Sequence, residues 1–205
     1  SMFAVTFTAN RDSRWLYESL RFLFNHIEEL DQPEFGSYFK DFLEIMAVRY
    51  AEGRLFTEED MLKKYGDIPV YAFNFVDYIL WKNREELGRK YKGVKFDHFK
   101  FAYRRSIEHW FPQHPNSDEK IEKMDDQFLH SFGNLCIITD SQNSKFGNLV
   151  PSAKYKQWEG IFDRQSLKLQ IMANITEKTK WESYQIKGLE KEILPMVKRF
   201  IESKS

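Results

Sequence analysis

The chain has 205 residues, of which 42% are hydrophobic and 30% charged, so it can form one large domain or two small ones around a buried core. Its 31 lysines and arginines are matched by 31 aspartates and glutamates. This zero net charge argues against a protein that binds nucleic acid through surplus positive charge alone. The single cysteine excludes an internal disulfide and a structural zinc held by cysteine pairs.

The sequence shows neither a membrane span nor a targeting signal. No apolar run approaches the roughly 18 residues that a membrane helix needs, and no basic segment followed by an apolar one opens the chain. We therefore expect a cytoplasmic protein with no membrane contact. Residues 1–2 are typical of a cloning scar, so they are left out of the fold prediction, and the chain is expected to be a fragment of a longer protein.

Helices are predicted over most of the first 95 residues. Apolar residues recur at helical spacing over 14–30 and again over 35–50, where Gly53 marks the end. The first stripe is expected to face the core, and its members are Trp15, Leu16, Leu20, Leu23, Phe24 and Ile27. Thr57–Asp60 is similar to a capping box and predicts a helix through Tyr65. Pro69 predicts the start of another helix, which runs to about Arg89.

The middle of the chain changes to strand-like patterns. Phe96–Ile107 predicts a strand, and residues 113–127 predict a polar loop with a short helix. Gly133-Asn134 predicts a turn before a buried strand over Leu135–Thr139, in which Cys136 is expected to be inert core. Beyond this strand, a short helix capped by Asp140 or Ser141 should end at Gly147, and Pro151 should start another. Residues 164–203 are predicted to be helical.

The zero net charge is distributed unevenly along the chain. Residues 1–81 carry a net charge of −6, residues 82–109 carry +5, and residues 110–205 carry +1. The basic stretch runs directly into Glu108-His109. It is either a solvated, lysine-rich surface or a contact for phosphate, and composition alone does not decide between them.

Two short segments carry the residues suited to chemistry. Ser106–Gln113 reads SIEHWFPQ, and Gly133–Asn148 reads GNLCIITDSQNSKFGN. Together they give a strand ending in an acid and a histidine, a loop, an asparagine, a second strand, and an asparagine on a helix. This order resembles the HNH, or ββα-metal, nuclease motif. Over residues 104–155 it is most similar to the C-terminal nuclease domain of the GmrSD-type modification-dependent restriction endonuclease family.

The resemblance implies a mainly α fold with a small β-hairpin, in which a helical domain encloses the ββα-metal motif. It divides the chain into a helical region over 3–95, an HNH core over 96–160, and C-terminal helices over 161–205 that pack on the core. It implies a metal-dependent DNA endonuclease that defends the cell against phage or other foreign DNA. It also implies an N-terminal nucleotide-hydrolysing regulatory domain as a partner, and this chain has no glycine-rich phosphate loop of its own.

The matching positions suggest a role for each residue. His109 would be the general base, and Asn134 would hold the loop and orient the His109 ring. Glu108 and Asn143 would bind Mg²⁺, for which Mn²⁺ can substitute, because these ions prefer oxygen ligands. Neighbours on a strand point to opposite faces, so Glu108 joins His109 only if the strand ends or twists, as Pro112 suggests. Otherwise the metal relies on Asn143, phosphate and water.

Arg104, Arg105 and Lys145 flank the motif and are candidate contacts to DNA phosphate. Ordinary surface charge explains these three residues equally well. His130, like His26 and His98, is interpreted as a surface or core residue, and His114 as a loop residue or a phosphate contact. Two other functions stay open: a non-catalytic nucleic-acid-binding or protein-docking module with a degenerate HNH fold, and a nuclease that acts on RNA.

Overall fold

The structure is a computed structural model that describes residues 1–8, 13–58, 61–116 and 123–204. Over these residues the chain is mainly helical with a small two-stranded antiparallel hairpin, as predicted. The elements in chain order are α1 (Met2–Thr6), α2 (Arg14–Asn25), α3 (Phe35–Ala51), α4 (Val70–Lys82), α5 (Arg84–Lys90), β1 (Ser106–His109), α6 (Asp126–Leu129), β2 (Leu135–Ile138), α7 (Asp140–Phe146), α8 (Pro151–Trp158), α9 (Leu167–Lys178) and α10 (Ser183–Glu202).

The short helix α1 was not predicted. The Ser1 hydroxyl accepts a hydrogen bond from the backbone of Ala4 at 3.4 Å and so caps the helix. Met2 and Phe3 are buried, and the Phe3 ring stacks on Trp15 with 5.6 Å between ring centroids. Residues 1–2, which have the sequence of a cloning scar, therefore take part in the capping and packing of the first helices.

The apolar stripe predicted for α2 is only partly buried. Its inward side carries Trp15, the buried Ser19, and Phe22, whose ring stacks on Phe42 of α3 at 4.1 Å between centroids. Four residues expected in the core are 43–75% exposed, namely Leu16, Leu20, Phe24 and Ile27. The core prediction for these four residues was wrong, because a helix that is apolar on two sides buries only the side that a neighbour covers.

The segment after α3 is a short antiparallel bridge and not the predicted helix. Phe56 pairs with Leu62, and the backbone N–H of Lys63 donates to the carbonyl of Leu55 at 2.9 Å. The extended pairing places Leu55 and Leu62 in the core, which one turn of helix would not do. The last two residues of the predicted cap, Thr57–Asp60, lie outside the described residues.

Helix α4 forms the centre of the core. Pro69 is its N-cap, as predicted, and Asn83 separates it from α5, so the single helix expected up to Arg89 is two. Helices α1, α3, α9 and α10 pack around α4, and most of its residues from Tyr71 to Leu80 are buried. A helix that is covered on several sides has apolar residues around most of its circumference, and the sequence of α4 is accordingly almost continuously apolar.

The hairpin pairs Ser106 with Ile138 and His109 with Leu135. Strand β2 confirms the prediction, but β1 is much shorter than the strand predicted over Phe96–Ile107, because a 3-10 helix takes its first three residues and an irregular stretch follows. Strands of four residues are not stable alone, and helices α4, α7 and α9 pack against them. Burial in β2 raises the pKa of the Cys136 thiol to about 12.

The helices after the hairpin follow the prediction closely. Thr139 caps α7 in a capping box with Gln142, one residue before the predicted cap at Asp140, and Gly147 ends the helix with φ 48°. Helix α8 begins at Pro151, and α9 and α10 fill the predicted helical tail. In the part of the chain that is described, none of the helices has both the length and the apolar character needed to cross a bilayer.

The turn before β2 lies directly against α10. A Cβ atom added to Gly133 would lie 2.5 Å from the carbonyl oxygen of Ile186, and the Gly133 N–H donates to Glu190 Oε1 at 2.9 Å. No side chain fits in this space without moving the helix. The glycine therefore fixes the distance between α10 and the turn that leads to Asn134.

We predict that Gly133→Ala lowers the free energy of unfolding by about 1–3 kcal/mol, as overpacking typically does. Urea denaturation measures the change. The matched control is Gly188→Ala in the middle of α10, where the added Cβ meets nothing within 4 Å, and where alanine should stabilise by about 0.5–1 kcal/mol. A Gly133→Ala variant as stable as the wild type would contradict the close approach.

Candidate active site

Three of the residues singled out in the sequence, Glu108, His109 and Asn134, lie near the end of the hairpin where β1 ends and β2 begins. His109 is the last residue of β1, and Asn134 immediately precedes β2. The backbone N–H of Trp110 donates to the carbonyl of Asn134 at 2.8 Å, which extends the pairing by one residue. Helix α7, which carries Asn143, packs against β1. The order of elements is therefore strand, strand and helix.

His109 is 5% exposed, and both of its ring nitrogens have partners. Nδ1 lies 3.0 Å from the amide nitrogen of Gln113, and Nε2 lies 3.1 Å from Nδ1 of His130. The ring of Tyr65 packs beside the imidazole with 4.4 Å between centroids. The imidazole is thus held in position on three sides by groups from different segments of the chain.

Burial, with the charges of His130 and Lys154 as further causes, lowers the pKa of His109 to about 4. An imidazole with this pKa is neutral at neutral pH. A neutral imidazole has a lone pair on one ring nitrogen and can accept a proton. His109 is therefore unprotonated, as a general base must be before the reaction, but a pKa of about 4 makes it a weaker base than an imidazole whose pKa lies near the working pH.

Glu108 is paired with a buried lysine. Its Oε1 lies 2.7 Å from Nζ of Lys154, which has no exposed side-chain surface. The same Nζ donates to the backbone carbonyls of His109 at 2.7 Å and Trp110 at 3.0 Å, so all three ammonium hydrogens have acceptors. Burial raises the pKa of Glu108 and lowers that of Lys154, and the ion pair opposes both changes.

The side chains of Glu108 and His109 therefore contact different groups. The carboxylate meets Lys154 of α8, whereas the imidazole meets Gln113, His130 and Tyr65. This is the alternation expected for neighbours on a regular strand. Of the two arrangements left open by the sequence, the structure has the one in which Glu108 is directed away from the His109 ring.

Asn134 is fully buried and uses its whole amide to hold the loop. Its Oδ1 accepts from the backbone of Phe111 at 2.9 Å and from Nε1 of Trp181 at 3.1 Å. Its Nδ2 donates to the carbonyls of Phe111 at 3.0 Å and Leu129 at 2.9 Å. The predicted loop-holding contacts are present. The predicted contact with the His109 ring is not, because these four bonds occupy the amide.

Asn143 lies on the exposed surface of α7. The start of this helix is tied to the start of β1, because Arg105 Nε donates to Oδ2 of Asp140 at 2.6 Å and the Ser106 hydroxyl donates to Oδ1 of the same carboxylate. The amide of Asn143 is therefore carried by a helix of fixed position while remaining accessible to solvent.

The three predicted phosphate contacts differ in exposure. Arg104 is 3% exposed and its guanidinium donates to the carbonyl of Arg164 at 2.7 Å. The predicted contact of Arg104 with phosphate is inconsistent with this burial, since a guanidinium inside the protein cannot reach DNA. Arg105 and Lys145 are exposed. The first is paired with Asp140, and the second lies 5.6 Å from the ring centroid of Trp158.

Among the residues that the structure describes, no three or more His, Cys, Asp or Glu side chains form a group that could hold a metal ion. The oxygen donors predicted for the metal are of the type that Mg²⁺ prefers. In this structure, however, a buried ammonium already binds one oxygen of Glu108.

Sequence reasoning missed the partners of both key residues. Gln113 lies inside the first quoted segment, four residues after His109, but no pattern pointed to a contact. His130 was interpreted as a surface or core residue. Tyr65 and Lys154 are 44 and 45 residues from His109 in the chain, and a single sequence carries no signal for contacts at that separation.

Comparison with known proteins supports the resemblance seen in the two segments. A family model described as GmrSD restriction endonucleases, C-terminal domain, matches residues 57–195. The match covers more than half of the chain and includes the hairpin, the loop between its strands, and helices α7 to α9. Searches of curated proteins and of solved structures found no match.

We predict that Lys154→Met lowers the free energy of unfolding by about 3–5 kcal/mol, because it leaves the Glu108 carboxylate buried without a partner. Urea denaturation measures the loss. The matched control is Lys156→Met at an exposed site of the same helix, where the change should stay within about 0.5 kcal/mol. Adding Glu108→Gln to Lys154→Met should restore part of the stability, since it removes the unpaired charge. Similar losses for the two lysines would disprove a structural role for the buried pair.

Proposed function

The chain belongs to the family of GmrSD restriction endonuclease C-terminal domains, and we propose that it is an HNH-type DNA endonuclease that acts in the cytoplasm against phage or other foreign DNA. Family membership supports a restriction nuclease in general. The finer assignment is supported by the order of elements, with His109 at the end of β1, Asn134 before β2 and Asn143 on α7.

The observation that carries the proposal is the neutral, firmly held imidazole of His109. Hydrolysis of a phosphodiester needs a water molecule that loses a proton as it attacks phosphorus. With a pKa of about 4, His109 is unprotonated at neutral pH and can accept that proton. Asn134 is assigned a positioning role, because its four hydrogen bonds fix the loop that begins after His109.

Mg²⁺, or Mn²⁺ in its place, is the cofactor we propose, and it would neutralise charge on the phosphate and stabilise the leaving oxygen. The donor chemistry fits only through Asn143, whose amide is exposed on α7, because the Glu108 carboxylate is bound to Lys154 and directed away from the His109 ring. Because Lys154 already supplies one positive charge to Glu108, we expect weak binding. Phosphate oxygens and water would complete the coordination.

DNA is the proposed substrate, and the contacts from this chain are local. Arg105 immediately precedes β1 and Lys145 lies on α7, and both are exposed. They can therefore reach phosphate groups. The zero net charge supplies little long-range attraction. We therefore propose that the N-terminal nucleotide-hydrolysing domain of the full-length protein provides affinity and targeting, while this domain cuts.

One observation favours a second function. The ion pair between Glu108 and Lys154 is what a non-catalytic DNA-binding or docking module would have if it had lost its metal. Retention of His109 and Asn143 argues for the nuclease, because a degenerate copy has no need of a neutral base. Cleavage activity distinguishes the two functions directly.

We predict that the protein nicks supercoiled plasmid DNA with Mg²⁺ and that His109→Ala lowers the rate by about 10²- to 10⁴-fold. The matched control is His98→Ala, which changes an exposed histidine and should leave the rate unchanged. Gel electrophoresis with and without EDTA measures the cleavage, and a parallel RNA substrate tests the RNA alternative. Equal rates for wild type and His109→Ala would exclude His109 as the base, and inactive wild type would favour the non-catalytic module.

Metal binding gives a separate prediction. Titration calorimetry with Mn²⁺ should show at least about 10-fold weaker binding for Asn143→Ala than for the wild type, because loss of a residue that only orients a metal ligand already costs about 10- to 100-fold. Asn25→Ala, at the exposed end of α2, is the matched control and should bind as the wild type does. Unchanged affinity of Asn143→Ala would remove Asn143 from the proposed metal site.

A further inference from the structure

A second histidine lies against His109. Nδ1 of His130 is 3.1 Å from Nε2 of His109, and the two rings meet nearly edge to face at an interplanar angle of 82°. Two imidazole nitrogens at this distance share one hydrogen, so one ring donates and the other accepts. The tautomer of His109 is therefore linked to that of His130.

Gln113 indicates which way the shared hydrogen points. Its amide nitrogen lies 3.0 Å from Nδ1 of His109 and 3.4 Å from Nε2, and an amide nitrogen only donates. The shorter contact favours donation to Nδ1, which then carries the lone pair. The hydrogen of the neutral His109 ring is consequently on Nε2, where it donates to Nδ1 of His130.

The backbone of His130 is held in place from several sides. The N–H of Tyr65 donates to its carbonyl at 2.9 Å, and its own N–H donates to the carbonyl of Asp126 at 3.2 Å. Asn134 binds the carbonyl of the preceding residue, Leu129, at 2.9 Å. Two contacts to His130 itself and one to its neighbour therefore fix the backbone from which its imidazole reaches His109.

We propose that His130 is a positioning residue that holds His109 as the Nε2–H tautomer and so makes Nδ1 the atom that accepts the proton from water. The Gln113 amide, which donates to Nδ1 in this structure, occupies the direction from which that water would donate. The role in cleavage rests on the proposed nuclease function. The tautomer assignment does not depend on it, because it follows from contacts within the chain.

Asparagine and leucine at position 130 separate a hydrogen-bonding role from a packing role. In His130→Asn the side-chain amide can occupy the place of Nδ1 and accept from His109, whereas His130→Leu keeps comparable bulk without an acceptor. We expect His130→Leu to lower kcat about 10- to 100-fold with little change in KM, in the range typical of groups that orient a reacting histidine. His130→Asn should recover most of the lost rate.

The ring ¹⁵N chemical shifts of His109 report the tautomer without reference to activity. We expect the 205-residue chain to show the Nε2–H form at neutral pH, His130→Asn to retain it, and His130→Leu to show a mixture with the Nδ1–H form. An Nδ1–H form in the wild type would overturn the proposal, even if no variant folded. Equal shifts and equal rates for the asparagine and leucine variants would also overturn it.

Failure of the nuclease function gives a different result. If the wild type does not cleave DNA but the ¹⁵N shifts change as expected in His130→Leu, His130 still positions the His109 ring and only the reaction assigned to it is wrong. If the wild type cleaves DNA and the shifts do not respond to His130, the nuclease function stands and the positioning role is excluded.

Discussion

The buried amide of Asn134 is the interaction on which the geometry around His109 depends. Each strand of the hairpin has only four residues, and a hairpin of that size is marginal in water. The Asn134 amide joins the backbone of Phe111, just after β1, to that of Leu129, the last residue of α6, and to the ring of Trp181. Since all its hydrogen-bonding capacity is used, loss of any partner would leave a buried polar group unpaired.

Two buried lysines also hold the backbone at this end of the hairpin. Lys154 binds backbone carbonyls where β1 ends, and Lys168 binds carbonyls on either side of the turn into β2. Burial lowers the pKa of Lys168 to about 8 and raises that of the nearby Asp77 to about 7. Burying a charge is unfavourable unless it is paired and hydrogen-bonded. These lysines satisfy carbonyl groups near the end of the hairpin that carries His109 and Asn134, so this end depends on charge as well as on packing.

The elements that were predicted correctly are those whose signals are local. Proline and glycine marked the start of α4 and α8 and the end of α7, and the apolar run of β2 has the length of a buried strand. The helix expected after Thr57–Asp60 and the outward side of α2 were wrong because neighbouring elements decide what is covered. The motif placed His109 and Asn134 correctly in the hairpin. It could not supply His130 or Lys154, since their contacts with the motif join segments more than 20 residues apart.

Several of the basic side chains form ion pairs, which reduces the positive charge that this domain offers to DNA. Four lysines and arginines of residues 82–109 are bound to carboxylates, in the pairs Lys82–Glu44, Lys90–Glu192, Arg84–Asp97 and Arg105–Asp140. Arg104, from the same stretch, is buried. Less positive charge is therefore available to attract a polyanion than the sequence count indicates. A module that recognised DNA by itself would need unpaired positive charge on its surface. A module that relies on a partner domain for affinity, and itself contacts only a phosphate beside His109, would not need it.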